Sequence, residues 1–286
     1  MGTKSSGLLR LLRLSSLLMV SAASALNAQT INILAATNSA DFRRGLPQPG
    51  SLCSLFVTGL QGSRGIVTAA TVPLPNELAG VGVWVDSLPA PILAVAFFDS
   101  YQQINMQVPW EVSGNYSLTV SVAQNGISAQ SDQPVTGSLL QPSVFFADAK
   151  GYGVFHRATD YSRVTPDNPV QPGEYVIGYA INLGPVSHAP VTGDPAPFDP
   201  LAVSVAIPPV CSMMHSIRWG TTDRAPLAVV SPSFVGLAPG TVGVYQVNFQ
   251  VPQSIAPGDI PIIFMRNCWR TSLSVRDSEA RRSLSL

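Results

Sequence analysis

From Gly80 onward, apolar and polar positions alternate. Val81, Val83 and Val85 are interleaved with Gly82, Trp84 and Asp86, which predicts a strand that ends at Asp86-Ser87 before Pro89-Ala90-Pro91 turns the chain. Ile104, Met106 and Val108 alternate with Gln103, Asn105 and Gln107, so one side of this segment faces a core and the other is polar, and Pro109 stops the ladder. Tyr116, Leu118, Val120 and Val122 alternate with Ser117, Thr119 and Ser121, and Asn125-Gly126 follows, the pair that favours a type I′ hairpin. Residues 175–179, 203–207, 245–251 and 260–265 continue as short apolar runs bounded by Pro or Gly. Beyond residue 28 no segment carries a 3.6-residue period, and the pattern predicts an all-β chain.

Two motifs occur twice in the same order. The segment from Gln48-Pro49-Gly50 to Gly59-Leu60 returns as Gln171-Pro172-Gly173 to Asn182-Leu183, and Gln103-Ile-Asn-Met-Gln-Val-Pro109 returns as Gln246-Val-Asn-Phe-Gln-Val-Pro252. The chain is therefore two copies of one unit. The second copy is longer between its motifs, in part through residues 184–200, whose Pro195-Ala-Pro197-Phe-Asp-Pro200 run reads as a loop. A loop of this size is an interaction loop or a passive insertion, and the passive reading is preferred.

The first 28 of the 286 residues read as a secretory signal peptide: Lys4, Arg10 and Arg13 supply the positive end, residues 14–25 the apolar run, and Ala23-Ser24-Ala25 or Ala28-Gln29 a small-residue cleavage site. The expected product is exported, in the periplasm, at the cell surface or outside the cell, with no membrane span after cleavage. Of the 16 Lys and Arg residues three leave with the leader, so 13 remain against 16 Asp and Glu. That mildly acidic balance argues against nucleic acid as a partner. Charged residues make up only 11% of the chain while Pro and Gly number 25 and 23, a composition that suits many short strands and turns rather than disorder.

The candidate chemistry is sparse. Three histidines, His156, His188 and His215, stand in no catalytic motif, and His156 near Asp160 is a spacing that chance also gives. No Gly-x-Ser-x-Gly elbow or metal-ligand spacing occurs, and Asp194 with Asp199 is too sparse for a calcium loop. No catalytic residue, metal or cofactor is assigned. Of three cysteines, Cys53 aligns with Val176 in the repeat and reads as a small buried hydrophobe, while Cys211 and Cys268 are the candidate disulfide pair. The amide rows Gln103, Asn105, Gln107 and Gln246, Asn248, Gln250 could read a ligand, but repetition favours solvated or backbone-satisfying roles. Trp84, Trp110, Trp219 and Trp269 could build a carbohydrate platform or cap a sandwich core. Trp110, after the Val-Pro stop, is the best exposed candidate, and Asp194 and Phe198 in the long loop join it as candidate partner contacts.

Asn38-Ser-Ala-Asp-Phe42, the Pro-Gly-Ser-Leu strand, Leu88-Pro-Ala-Pro91, Gln103 to Glu111, Asn182-Leu-Gly-Pro-Val186 and residues 236–248 together resemble the Solibacter-type C-terminal domain family of secreted acidobacterial proteins. The resemblance spans residues 36–275 and implies tandem immunoglobulin-like units of the IPT/TIG kind, with no established activity. Against it, Asp86-Ser87 and Ile207-Pro208 stand where Asn-Gly-like hairpin turns are expected, and Asn267-Cys268-Trp269 where Gly is usual. The expectation is thus an all-β protein of two tandem immunoglobulin-like (IPT/TIG-type) β-sandwiches. Its parts are a signal peptide (1–28), an N-terminal segment (29–45), domain one (46–140), a packed connector (141–169) rich in Phe145, Phe146, Tyr152 and Phe155, domain two (170–276) and a tail (277–286). The expected role is a non-catalytic exported interaction or structural module with a protein or polysaccharide partner. The alternatives are an accessory carbohydrate-binding unit of a secreted degradative system and, more remotely, a cryptic hydrolase.

Overall fold

The computed structural model describes residues 30–112, 117–131, 135–136, 142–148, 151–205, 217–219, 228–264 and 269–275. In chain order the first sandwich comprises β1 (Asn32–Asn38), β2 (Leu52–Thr58), β3 (Gly65–Thr68), β4 (Glu77–Leu78), β5 (Val81–Val85), β6 (Leu88–Pro89), β7 (Ile92–Phe97), β8 (Gln102–Gln107), β9 (Ser117–Leu118), β10 (Val120–Gln124) and β11 (Ile127–Gln130). One sheet runs β1-β2-β8-β7-β3 and the other β11-β10-β5-β4. With the main strands lettered A to G as they occur, these are A-B-E-D and G-F-C, the strand order of an immunoglobulin sandwich. After β12 (Val135–Thr136), which pairs with β9, the second sandwich adds β13 (Ser143–Val144), β14 (Phe155–Arg157), β15 (Tyr175–Ile181), β16 (Ile217–Trp219), β17 (Ala228–Val230), β18 (Phe234–Leu237), β19 (Tyr245–Gln250), β20 (Gly258–Phe264) and β21 (Trp269–Val275). Its sheets, β13-β15-β19-β18 and β17-β16-β20-β21, repeat A-B-E-D and G-F-C. The chain is all-β, and its two units are tandem immunoglobulin-like sandwiches.

Period-two patterning explains the cores. Leu55 and Val57 of β2, Ile104 and Met106 of β8 and Val95 of β7 meet Val81, Val83, Val85, Val120 and Val122 from the facing sheet in one buried cluster. Cys53 belongs to this cluster, as its repeat partner Val176 belongs to the core of the second sandwich. There Tyr245, Val247 and Phe249 of β19 pack with Ile262 and Val275 of the opposite sheet, and Phe155 meets Phe249 edge-on at 6.0 Å between ring centroids. The segment 29–45 supplies the edge strand β1, which pairs with β2. Within 141–169, both β13 and β14 pair with β15, so Phe155 is core to the second sandwich; Phe145 packs where the two sandwiches meet, and Phe146 is exposed. Residues 203–204 form isolated bridges instead of a named strand, and residues 206–207 lie outside the described residues.

Asp86-Ser87 joins β5 to β6 as a two-residue hairpin, with φ of 47° and 69°. Asn125-Gly126 joins β10 to β11 in the same way, with φ of 53° and 78°. Both have the positive φ pair of a type I′ turn. Asp86 tolerates it because its Oδ1 accepts the Thr119 amide at 2.7 Å while its own amide donates to the Thr119 carbonyl. Ile207-Pro208 and Asn267-Cys268-Trp269, the other two departures from the family pattern, fall wholly or partly outside the described residues.

Two consequences are measurable. Ser87→Gly relieves a left-handed non-glycine residue and should raise stability by about 0.5–1 kcal/mol, seen as a higher urea midpoint at unchanged slope. Burial pushes the Cys53 thiol from 9.0 up to about 12, opposed in part by hydrogen bonding with the Thr37 backbone. The folded chain therefore holds a proton that the unfolded chain releases, and stability is lost as pH rises from 9 towards 12. Cys53→Val, which copies the second unit, should lack this component; equal pH dependence of the two urea midpoints over that interval would contradict it.

Candidate functional site

The duplicated motifs are two halves of one clamp. Gly50 occupies φ +81° and Gly173 φ +86°, left-handed positions that favour glycine, and each closes a turn immediately before the B strand. In the first unit the Gly50 amide donates to the Val108 carbonyl, the Val108 amide to Ser51 and the Ser51 amide to Gln48; in the second, Gly173 donates to Val251, Val251 to Glu174 and Glu174 to Gln171. Gln107 Nε2 then donates to the Gly50 carbonyl at 3.1 Å, and Gln250 Nε2 to the Gly173 carbonyl at 2.9 Å. The remaining amides pair along their own strands, Gln103 with Asn105 at 2.7 Å and Gln246 with Asn248 at 2.9 Å. The amide rows are therefore folding elements, engaged with their own strand and turn.

The copies differ in what surrounds the clamp. Gln250 lies at the surface, whereas Gln107 is fully buried, because residues 184–200 of the second unit fold over it. Gln107 Oε1 accepts the Gly193 amide at 2.7 Å, and the Gly193 carbonyl accepts the Leu74 amide. Thr192 Oγ1 accepts the Trp110 amide at 2.9 Å and donates to Glu111. Asn182, fully buried and at φ 66°, accepts the Gln48 amide on Oδ1 at 2.8 Å while its own amide donates to Ser51 Oγ at 3.0 Å. Asn38 Nδ2 donates to Ser143 Oγ, which donates to Asp41. Around these bonds Ala40 and Leu52 pack on Ile181, Phe145 and Val244. The 184–200 loop, read from sequence as a passive insertion, is a clasp that docks one sandwich on the other.

Trp110 is drawn into the same joint. It is half-buried, packs against the second core, and its buried Nε1 has no hydrogen-bond partner among the described residues. Asp194 is half-buried in the clasp, its amide bonded to the Val191 carbonyl. Phe198 is 76% exposed at the loop tip. The structure thus brings Trp110 and Asp194 to the joint and leaves Phe198 outside it, while Cys211 and Cys268 lie outside the described residues. His156 sits against Tyr179, its Nδ1 without a hydrogen-bond partner among the described residues, with its pKa lowered by burial and then by Arg163. Asp160 accepts the Ser162 amide at 2.8 Å, and the Ser162 hydrogen bonds hold its pKa below the usual carboxylate range. These two residues do not assemble as base and orienting group.

Two hollows are lined by polar side chains. One, of about 260 Å³, is bordered by Arg157, Asn168 and Glu174, and Arg157 engages both Glu174 and Asn168. The other, an open groove of about 610 Å³, lies on the outer face of the first G-F-C sheet and is lined by Trp84, Asp86, Ser87, Thr119, Ser121 and Gln130. Trp84 alternates with Val83 and Val85 alongside Gly82 and Asp86, and that period places it on the outward side of the sheet.

No family profile matches the chain, and no curated protein does. Among solved structures the chain is similar to a chimeric titin Z1Z2 functionalized with a KLER exogenous peptide from decorin, at 11% identity over 87% of this chain and 98% of that one, with a TM-score of 0.18. The fold class is defined instead by the strand order of each unit: a tandem immunoglobulin-like protein with a bonded joint.

The joint makes a quantitative prediction. Gln107→Ala strands the buried Gly193 N–H and Gly50 C=O and should cost about 2–4 kcal/mol, whereas Gln250→Ala removes an exposed bond and should cost less than about 1 kcal/mol. Urea unfolding of the two variants checks this; equal losses would contradict a special role for the first copy.

Proposed function

We propose that this protein is a non-catalytic, exported interaction module of the cell surface or extracellular space, whose paired sandwiches hold one outward face towards a protein or polysaccharide partner. The observation that carries the reading is the joint: Gln107 and Asn182, both fully buried, bind across it, and a module that must present a surface at a fixed angle uses such contacts. The leader-like residues 1–28 and the resemblance to the Solibacter-type family support export, and the IPT/TIG affinity of the units belongs to the same proposal.

Fractionation of producing cells should recover the chain without residues 1–28 outside the cytoplasm, and the purified mature protein should bind intact cells, envelope protein or insoluble polysaccharide saturably. Retention of the uncleaved chain in the cytoplasm, or absence of saturable binding to all three, would overturn the proposal.

A further inference from the structure

The groove on the first G-F-C sheet has the composition of a sugar subsite. Across the sheet Pro89, Trp84, Ser121 and Gln130 form one continuous row by strand pairing, and the next row runs from the exposed Glu77 at its outer end through Gly82 and Ala123 to Ser128. Small residues there make a shelf, and Trp84 lies along it. A Cβ built on Gly82 would meet Trp84 Cη2 at 2.7 Å and Cζ3 at 3.2 Å, so the indole is laid over the strand, with a flat aromatic surface bordering the groove. Such a surface takes the apolar C–H face of a pyranose, and hydroxyl, amide and carboxylate groups around it take the ring hydroxyls.

The rim supplies those groups. Asp86 and Ser87 stand on the type I′ turn, Thr119 faces them from the start of β10, and Ser121 and Gln130 complete the lining. The turn is fixed by two bonds between Asp86 and Thr119, which pre-orders its side chains before any ligand arrives. Among the described residues that line the groove there is no Lys, Arg or His, so an anionic ligand would meet the Asp86 carboxylate with no counter-charge from them. On the opposite sheet, Phe42, Phe56, Tyr101 and Phe98 also form an aromatic run, but successive rings are tilted by 46° to 58° and pack on one another.

We infer that the groove between Trp84, the Asp86-Ser87 turn and Gln130 binds a neutral polysaccharide chain by stacking a pyranose on Trp84. This rests on the reading of the chain as a binding module and names its ligand class. The test is gel retardation and tryptophan fluorescence titration of the mature full chain with hydroxyethylcellulose, dextran and polygalacturonate. At least one of the two neutral polymers should bind, and the anionic one should not. Trp84→Ala should weaken binding at least tenfold. Gly82→Ala, which keeps the tryptophan but displaces its ring, should do likewise, and Trp84→Phe should be intermediate. Gln130→Ala, on the exposed edge strand, should weaken binding severalfold, and it serves if the Trp84 and Gly82 variants fail to fold. Failure of both neutral polymers to bind, preference for polygalacturonate, or unchanged affinity in the folded variants would overturn the assignment. Saturable binding to an envelope protein with no binding to neutral polymers would leave the module reading standing and remove the sugar site alone.

Discussion

The two ends of the Gln107 carboxamide are held by backbone groups from different domains, the Gly50 carbonyl on one side and the Gly193 amide on the other. Each of those backbone groups is buried and needs its partner, and a side chain that bonds both cannot satisfy one while the domains move apart. The rest of the joint is arranged about this point. The Gly193 carbonyl takes the Leu74 amide, Thr192 holds the Trp110 backbone, and Asn182 closes on Gln48 and Ser51 at the same turn that Gln107 clamps. The B-strand turn of the first unit thereby serves as a folding clamp within its own sandwich and as the seat of its neighbour.

Duplication made this possible without a new element. Each unit has a glutamine at the end of its E strand and a left-handed glycine in the turn opposite, and in the second unit the glutamine is exposed and, among the described residues, its side chain bonds only that glycine. In the first unit the extra residues 184–200 of the second copy cover the same pair, and the glutamine's carbonyl oxygen takes up a contact that its counterpart lacks. The joint also consumes Trp110, which explains why the tryptophan after the Val-Pro stop is half-buried while Trp84, flat on an open sheet, borders a groove.

Much of the fold was legible because strands with one buried face write their geometry as alternation. Val81 to Val85 and Ile104 to Val108 point inward as their period requires, and Asn125-Gly126 turns as its residues dictate. Asp86-Ser87 was a departure from the expected turn chemistry, and only the Thr119 bonds, distant in sequence, show why it holds. The repeat announced two units, but the partner of Gln107 lies 86 residues away in a loop without periodicity, and no local pattern encodes such a contact. The groove was half-readable: the alternation set Trp84 outward, while the Ser121 and Gln130 that flank it become its neighbours only through the G-F-C pairing. Strand A of each unit escaped the periodicity for a simpler reason, since β13 has two residues and β1 is interrupted by a register shift between Ile33 and Ala35.

If the joint fixes the two sandwiches as one body, the amides that cross it must be as inaccessible as those of the central strands. Native-state hydrogen exchange resolved at Gly193 and Asn182 measures this directly. Protection of both amides within the range of the β2 and β8 ladder amides, lost together only on global unfolding, is the predicted result. Exchange of the Gly193 amide at the rate of an exposed loop, while the strands of both sandwiches remain protected, would show the clasp opening independently and would contradict the rigid joint.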